Sequence, residues 1–164
     1  MSRITSFEPL IYQDSRVLVL GSIPSIESLR KRQYYAHDRN HFWQIVAGLF
    51  GEATPSDYEG RKTLLRKHRI GLWDVIASCT RRASADSEIK AVKLNDIRSV
   101  YQGHAGIERI VCNGKASYRL FEKYFQDCRL PVGYVPSSSP AYAKPLSWKI
   151  REWKRKFFAE RVHQ

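Results

Sequence analysis

The sequence is short of the residues that mark disulfide scaffolds, metalloproteins and membrane proteins. It has three cysteines, Cys79, Cys112 and Cys128, widely spaced and with no CxxC pair. An odd set at such spacing makes no disulfide framework, so reduced thiols in an intracellular, non-secreted protein are expected. Those thiols and the five scattered histidines have neither the ligand number nor the spacing of a structural zinc or iron–sulfur site. No metal is therefore expected. No apolar run approaches a membrane span, and the N-terminus lacks the apolar core of a signal peptide, so no membrane partner is expected either. Repeats, low-complexity tracts and obvious linkers are also missing. Acidic residues are few: 16 Asp and Glu stand against 28 Lys and Arg, a formal charge of +12. That imbalance favours a polyanionic partner through counterion release and electrostatic steering. Basic residues can also serve solubility alone, but here tyrosine and tryptophan accompany them, which turns the expectation toward nucleic acid.

What is present is globular: 43% of the 164 residues are hydrophobic and 12% aromatic. That length suits one domain, residues 1–164, with a full core. Apolar runs at 16–20, 71–77, 109–112 and 132–135 are continuous rather than alternating, as expected of strands buried on both faces of a parallel sheet. Helical spacing lies between them. Phe42, Ile45, Val46, Leu49 and Phe50 share one face, ended by Gly51. Ser56 with Glu59 resembles a capping box before Tyr58, Leu64 and Leu65. Asn95 can cap a helix carrying Ile97, Val100 and Tyr101. Ala116, Leu120 and Tyr124 with Phe121 and Phe125 give a further helical face. A last helix starts near Pro145, with Trp148, Trp153, Phe157 and Phe158 as apolar positions among Lys149, Arg151, Lys154, Arg155 and Lys156. Alternating strands and helices predict a three-layer α/β/α fold around a central four-stranded parallel sheet. Its site is then expected beyond the carboxyl ends of the strands, where the loops 21–25, 34–41, 74–87, 113–117 and 136–143 converge.

Residues 34–46, Tyr-Tyr-Ala-His-Asp-Arg-Asn-His-Phe-Trp-Gln-Ile-Val, are the most informative of these. They set an aromatic pair, a histidine, a carboxylate and a carboxamide directly before an amphipathic helix. A flat apolar surface beside small polar groups suits a nucleobase, stacked on its face and hydrogen-bonded at its edge.

Five pieces then occur in order: Gly21-Ser22-Ile23-Pro24-Ser25; Tyr34-Tyr35-Ala36-His37 with Asn40-His41-Phe42-Trp43; Gly71-Leu72-Trp73-Asp74-Val75; Cys112-Asn113-Gly114-Lys115; and Pro136-Ser137-Ser138-Ser139-Pro140-Ala141. Together they resemble the uracil-DNA glycosylase superfamily, and most of all its hypoxanthine-DNA (deoxyinosine) glycosylase branch. The Tyr-Ala-His-x-x-Asn-x-Phe-Trp element also resembles mismatch-specific uracil glycosylases. The resemblance implies a monofunctional enzyme of base excision repair. Such an enzyme turns a deaminated base out of double-stranded DNA and hydrolyses its N-glycosidic bond, with neither metal nor cofactor, and a monomer is expected.

The same resemblance assigns roles. Many members carry Asp or Asn in the first loop to position the water; Ile23 stands there instead and can only line the base pocket. In the hypoxanthine branch an Asn of the later element takes that role, which maps to Asn40. Asn40 can equally cap the following helix, and both can hold. Asp38, where the family usually shows proline, can cap the helix, sit in solvent or bring a carboxylate to the water. Tyr35 is the stacking platform by resemblance, with Phe42 and Trp43 as core residues. His37 can donate to the sugar or the leaving base, or make a structural hydrogen bond. Asp74 can accept from the N1–H of hypoxanthine or bridge at the strand end. Asn113 can meet the base, Ser22 and Lys115 the DNA, although Asn-Gly is also ordinary turn chemistry. Ser137, Ser138, Ser139 and Pro140 match the family's minor-groove wedge. Val135 replaces a His or Asn of the better-known uracil enzymes, and Ser25 replaces a glycine, which weigh against uracil. Mismatched uracil or thymine, or xanthine, is the rival substrate; a non-catalytic nucleic-acid binder on the same scaffold is the rival from another class.

Overall fold

The computed structural model describes residues 2–81 and 89–158. Four strands, β2 (Val17–Gly21), β3 (Ile70–Asp74), β6 (Arg109–Asn113) and β7 (Val132–Val135), form a parallel sheet in the order β3-β2-β6-β7. Their side chains alternate between two cores, as the period of two in a strand requires. Val17, Val19, Ile70, Leu72, Val111 and Val135 point to one side, against α2 (Phe42–Leu49), α3 (Tyr58–Lys67) and α6 (Leu146–Phe157). Leu18, Leu20, Ile110 and Cys112 point to the other, against α4 (Ile97–Gly103) and α5 (Lys115–Tyr124). The expected three-layer α/β/α arrangement is the one observed. Phe42, Phe121 and Leu18, all fully buried, each contribute about 1.5–3 kcal/mol by leaving water.

The run expected as one strand over 71–77 is two. The chain leaves the parallel sheet after Asp74, and β4 (Ile76–Arg81) pairs antiparallel with β1 (Ser2–Thr5) and β5 (Lys90–Leu94) in a second sheet of order β1-β4-β5. The loop expected at 74–87 is thus largely strand as far as Arg81, and its remainder, 82–87, lies outside the described residues. β5 is exposed over most of its length, so it carries no apolar run by which to recognise it.

The caps also shift. Asp57 Oδ1, not Ser56, accepts from Gly60 N–H at 2.8 Å to start α3. Asp96 Oδ1, not Asn95, accepts from Ser99 N–H at 3.1 Å to start α4; Asn95 instead donates to the Asp74 carbonyl at 2.7 Å. A short helix, α1 (Ile26–Lys31), was not expected; Ser25 caps it through Ser28 N–H at 3.2 Å. Gly51, in the left-handed region at φ 65°, follows the end of α2. Tyr124 and Phe158, expected on apolar faces, are largely exposed, whereas Lys149 is fully buried. Cys79, Cys112 and Cys128 form no disulfide among the described residues, and burial pushes the Cys112 thiol up to about 12. No helix among the described residues is long and apolar enough to cross a membrane.

Candidate active site

The carboxyl ends of β2 and β3 lie side by side, with Gly21 paired in register to Asp74. Gly21 has no room for a side chain: a Cβ there would sit 2.6 Å from Asp74 Oδ1 and 2.7 Å from the Tyr35 hydroxyl. The glycine therefore lets a carboxylate and a phenol converge at the floor of the site. Asp74 is buried, 3% exposed.

Tyr35 is held there by the loop that precedes α2. Its backbone is left-handed, φ 52°, a conformation that costs a non-glycine residue about 1–3 kcal/mol and clusters at functional sites. Surrounding bonds hold the loop in place. The Trp43 indole N–H donates to the Tyr34 carbonyl at 2.9 Å, the Tyr34 hydroxyl to the Glu8 carbonyl at 2.9 Å, and Ala36 N–H to Ser28 Oγ at 3.0 Å. Burial, and then the nearby Asp74 charge, push the Tyr34 hydroxyl well above the ordinary phenol range, so it stays a neutral donor. The Tyr35 ring stacks on Phe42 at 4.1 Å with 20° between planes. Backed by the fully buried Phe42 ring, the Tyr35 ring has no room to retreat on that side.

The chain then turns. Asn40 N–H donates to the His37 carbonyl at 2.9 Å, and Arg39 N–H to His37 Nδ1 at 3.1 Å. An Nδ1 that accepts leaves the ring's proton on Nε2. Asn40 Oδ1 accepts from Phe42 N–H at 3.0 Å. The helix-start role weighed for Asn40 is therefore present, as a side-chain turn onto the second residue ahead. One Oδ1 lone pair and both Nδ2 hydrogens are not used by that bond.

The opposite rim is built by two loops bound to each other. Asn113 Nδ2 donates to Ser138 Oγ at 2.9 Å, and Ser138 N–H returns to Asn113 Oδ1 at 3.0 Å. Gly114, at φ 93°, precedes α5; a Cβ on it would lie 3.0 Å from Ser137 Cβ, so the loops need a glycine to approach this closely. His41 N–H donates to the Ser138 carbonyl at 3.0 Å, joining this rim to the start of α2.

These elements enclose an open cavity of about 620 Å³, a volume within the range of small-molecule sites. Its lining brings together Ser22, Ile23, Tyr35, His37, Asn40, Asp74, Asn113, Lys115, Ser137, Ser138, Ser139 and Pro140. Asp38 is not among them. Its side chain is 93% exposed, lies 3.7 Å from Lys31 Nζ and borders a neighbouring depression of about 380 Å³. The turn at His37–Asn40 leaves it in solvent, on the depression that Tyr35, His37 and Asn40 also border, and outside the main cavity. Val135 is fully buried and borders no part of the cavity's lining. Among the described residues, no group of three or more His, Cys, Asp or Glu side chains is gathered as a metal site would need.

Three supporting residues escaped the sequence reading. Arg81, 4% exposed, donates from Nη2 to the Pro24 carbonyl at 2.7 Å and so braces the first loop. Trp153 Nε1 donates to the Pro136 carbonyl at 2.7 Å, and Lys149 Nζ to the Ser139 carbonyl at 3.1 Å. A signal for Lys149 was available: it precedes Trp153 by four residues and Phe157 by eight, which puts it on the buried stripe of α6.

Known proteins share this framework. The family model of the Uracil DNA glycosylase superfamily matches residues 9–162. A hypoxanthine DNA glycosylase of Methanosarcina barkeri is 31% identical over 92% of this chain and 96% of its own length. One from Methanosarcina acetivorans is 32% identical over the same shares. The solution NMR structure of a Methanosarcina acetivorans protein, named there as a candidate uracil DNA glycosylase, superposes with a TM-score of 0.82 at 31% identity, covering 95% of this chain and 97% of that one. With fold, loop order and sequence in agreement over nearly its whole length, the chain belongs to the uracil DNA glycosylase superfamily.

Proposed function

We propose that this protein is a monofunctional DNA glycosylase that removes hypoxanthine from deoxyinosine in double-stranded DNA and so starts base excision repair. The observation that carries the reading is the convergence of Tyr35, Asp74, Asn40 and Ser139 on one cavity of base-accommodating size. The names and similarity of the two Methanosarcina relatives support hypoxanthine over the other deaminated bases.

The turned-out base stacks on Tyr35, which Phe42 backs. Asp74 accepts from the N1–H of hypoxanthine, and Asn113 reaches the base from the opposite rim. Asn40 keeps one Oδ1 lone pair on Phe42 N–H and with the other accepts a hydrogen of the attacking water, so that the water's oxygen faces C1′. The C1′–N9 bond breaks with its electrons leaving on the base, and the sugar becomes cation-like. The water oxygen then bonds to C1′ and releases its proton to solvent, from which the departing base takes up one, while His37 Nε2–H donates a hydrogen bond to the base or the sugar. Such a dissociative step needs fixed geometry and charge stabilisation more than a strong base, which fits a carboxamide at position 40. Ser139 and Pro140 enter the space that the base vacates, and Ser22, Lys115 and Ser137 meet the phosphates. Ser138, expected among them, is 1% exposed and bonded to Asn113 and His41, so it holds the rim together instead of meeting DNA. No residue is asked to attack the sugar covalently, so the product is an intact strand with an abasic site.

The test is to incubate the protein with duplexes carrying a single deoxyinosine, deoxyuridine or deoxyxanthosine and then treat them with alkali. Strand scission from the deoxyinosine duplex is expected, and only after alkali. Scission of the deoxyuridine duplex alone would transfer the assignment to uracil. Tight binding with no abasic product from any lesion would make the protein a binder.

A further inference from the structure

Helix α6 carries a fully buried lysine. Lys149, Trp153 and Phe157 stand one turn apart on the same stripe, and Lys149 and Trp153 are both 0% exposed. An apolar side chain at 149 would complete that stripe without the desolvation that a buried ammonium suffers. Among the described residues no carboxylate forms an ion pair with Lys149. Burial alone lowers its affinity for a proton, and its charge in turn adds to the burial that lowers that of His41.

What the ammonium gains is one backbone oxygen and the face of the Tyr142 ring, 5.8 Å from Nζ to its centroid, and that oxygen is well placed. Three carbonyls of the 136–139 segment accept from outside it: Pro136 from Trp153 Nε1 at 2.7 Å, Ser138 from His41 N–H at 3.0 Å, and Ser139 from Lys149 Nζ at 3.1 Å. Two of the three donors come from successive turns of α6. The Ser139 carbonyl also closes a turn by accepting from Tyr142 N–H at 3.0 Å, and Pro140 at its tip is exposed. Lys149 does not border the cavity, so it reaches the turn from behind.

We propose that Lys149 is a positioning residue that clamps the Ser139–Pro140 turn to helix α6, so that the turn enters duplex DNA as a rigid wedge. This rests on the glycosylase reading. A turn free to fold back would spend the energy of insertion on its own ordering; a charge-assisted bond to its carbonyl removes that freedom before DNA arrives.

The full-length Lys149→Met protein is compared with wild type on a deoxyinosine·thymine duplex and on the same deoxyinosine strand unpaired. The duplex reaction is expected to fall roughly 10- to 100-fold, the single-strand reaction by less than about threefold. Adding Pro140→Gly to Lys149→Met should lower the duplex reaction no further than Pro140→Gly alone, since both act through one turn. Equal losses on the two substrates, or full additivity, would overturn the proposal. Lys149→Gln keeps a neutral donor, should lie between, and serves if the methionine variant does not fold. Amide hydrogen exchange without DNA gives an independent readout. Exchange at Ser139, Ala141 and Tyr142 should quicken in either variant while the parallel sheet is unchanged, and unaltered exchange there refutes the clamp. Wild-type protein that releases no base from any lesion removes the glycosylase reading instead, and the exchange result then decides alone whether Lys149 holds the turn.

Discussion

Replacing Asn40 by alanine separates the two roles its geometry supports. In the folded protein, Asn40 Oδ1 accepts one bond, 3.0 Å from Phe42 N–H at the start of α2. Losing it exposes one orphan donor at a part-buried helix end, which costs about 0.5–1.5 kcal/mol of stability. For a chain of this size that corresponds to a fall in Tm of roughly 1–6 °C. The effect expected from the proposed catalytic role is larger. A water without its positioning acceptor must be found in the right orientation by chance, and the chemical step should slow by about 100-fold or more. DNA affinity should change by less than about threefold, because Asn40 is assigned no phosphate and no base. The assay is single turnover on a deoxyinosine duplex at saturating enzyme, with affinity read separately by fluorescence anisotropy and stability by thermal melting. Asn40→Ser sharpens it: serine can still accept from Phe42 N–H, so melting should recover while the rate does not. Equal losses in rate and affinity, or a rate that recovers with the serine, would refute the water-positioning role.

Other outcomes follow from the same geometry. Gly21→Ala would place a methyl 2.6 Å from Asp74 Oδ1 and 2.7 Å from the Tyr35 hydroxyl. It should cost about 1–3 kcal/mol in chemical denaturation and abolish base release; a stable, fully active variant would mean that these two groups do not need to converge. Ser139→Gly and Pro140→Gly should weaken turnover of paired deoxyinosine and be partly rescued when the lesion is unpaired, and a lack of rescue would argue against a wedge. Lys115→Ala should make the slope of log affinity against log salt shallower by about 0.9, as for one phosphate contact, with base preference unchanged; a changed preference would contradict the phosphate assignment.

Much of this was legible along the chain because it is local. The run Val17-Leu18-Val19-Leu20 alternates between two cores, and a strand buried on both faces must be apolar throughout, whichever helices cover it. The Tyr34–Trp43 element is likewise a local device, since its turn, its helix start and its stacked ring all lie within ten residues. Less legible was the second sheet. Ser78, Thr80 and Arg81 of β4 are polar, and β5 faces solvent, so neither has the apolar pattern by which a strand is recognised. The caps slipped by one residue because Ser56 beside Asp57 and Asn95 beside Asp96 are chemically near-equivalent, and tertiary pull broke the tie: Asn95 was drawn to the Asp74 carbonyl.

Composition, periodicity and motif order were enough to specify a basic α/β protein, four buried parallel strands and the loops that would meet at their carboxyl ends. Such properties depend on neighbours in sequence and on the two-residue and 3.6-residue periods of the backbone. The exile of Asp38 to solvent, the narrow space above Gly21, and the two α6 donors beneath the Pro136–Ser139 carbonyls were settled in three dimensions. Each depends on contacts between residues far apart in the chain, or on the direction in which a turn aims one side chain, and no local pattern encodes those.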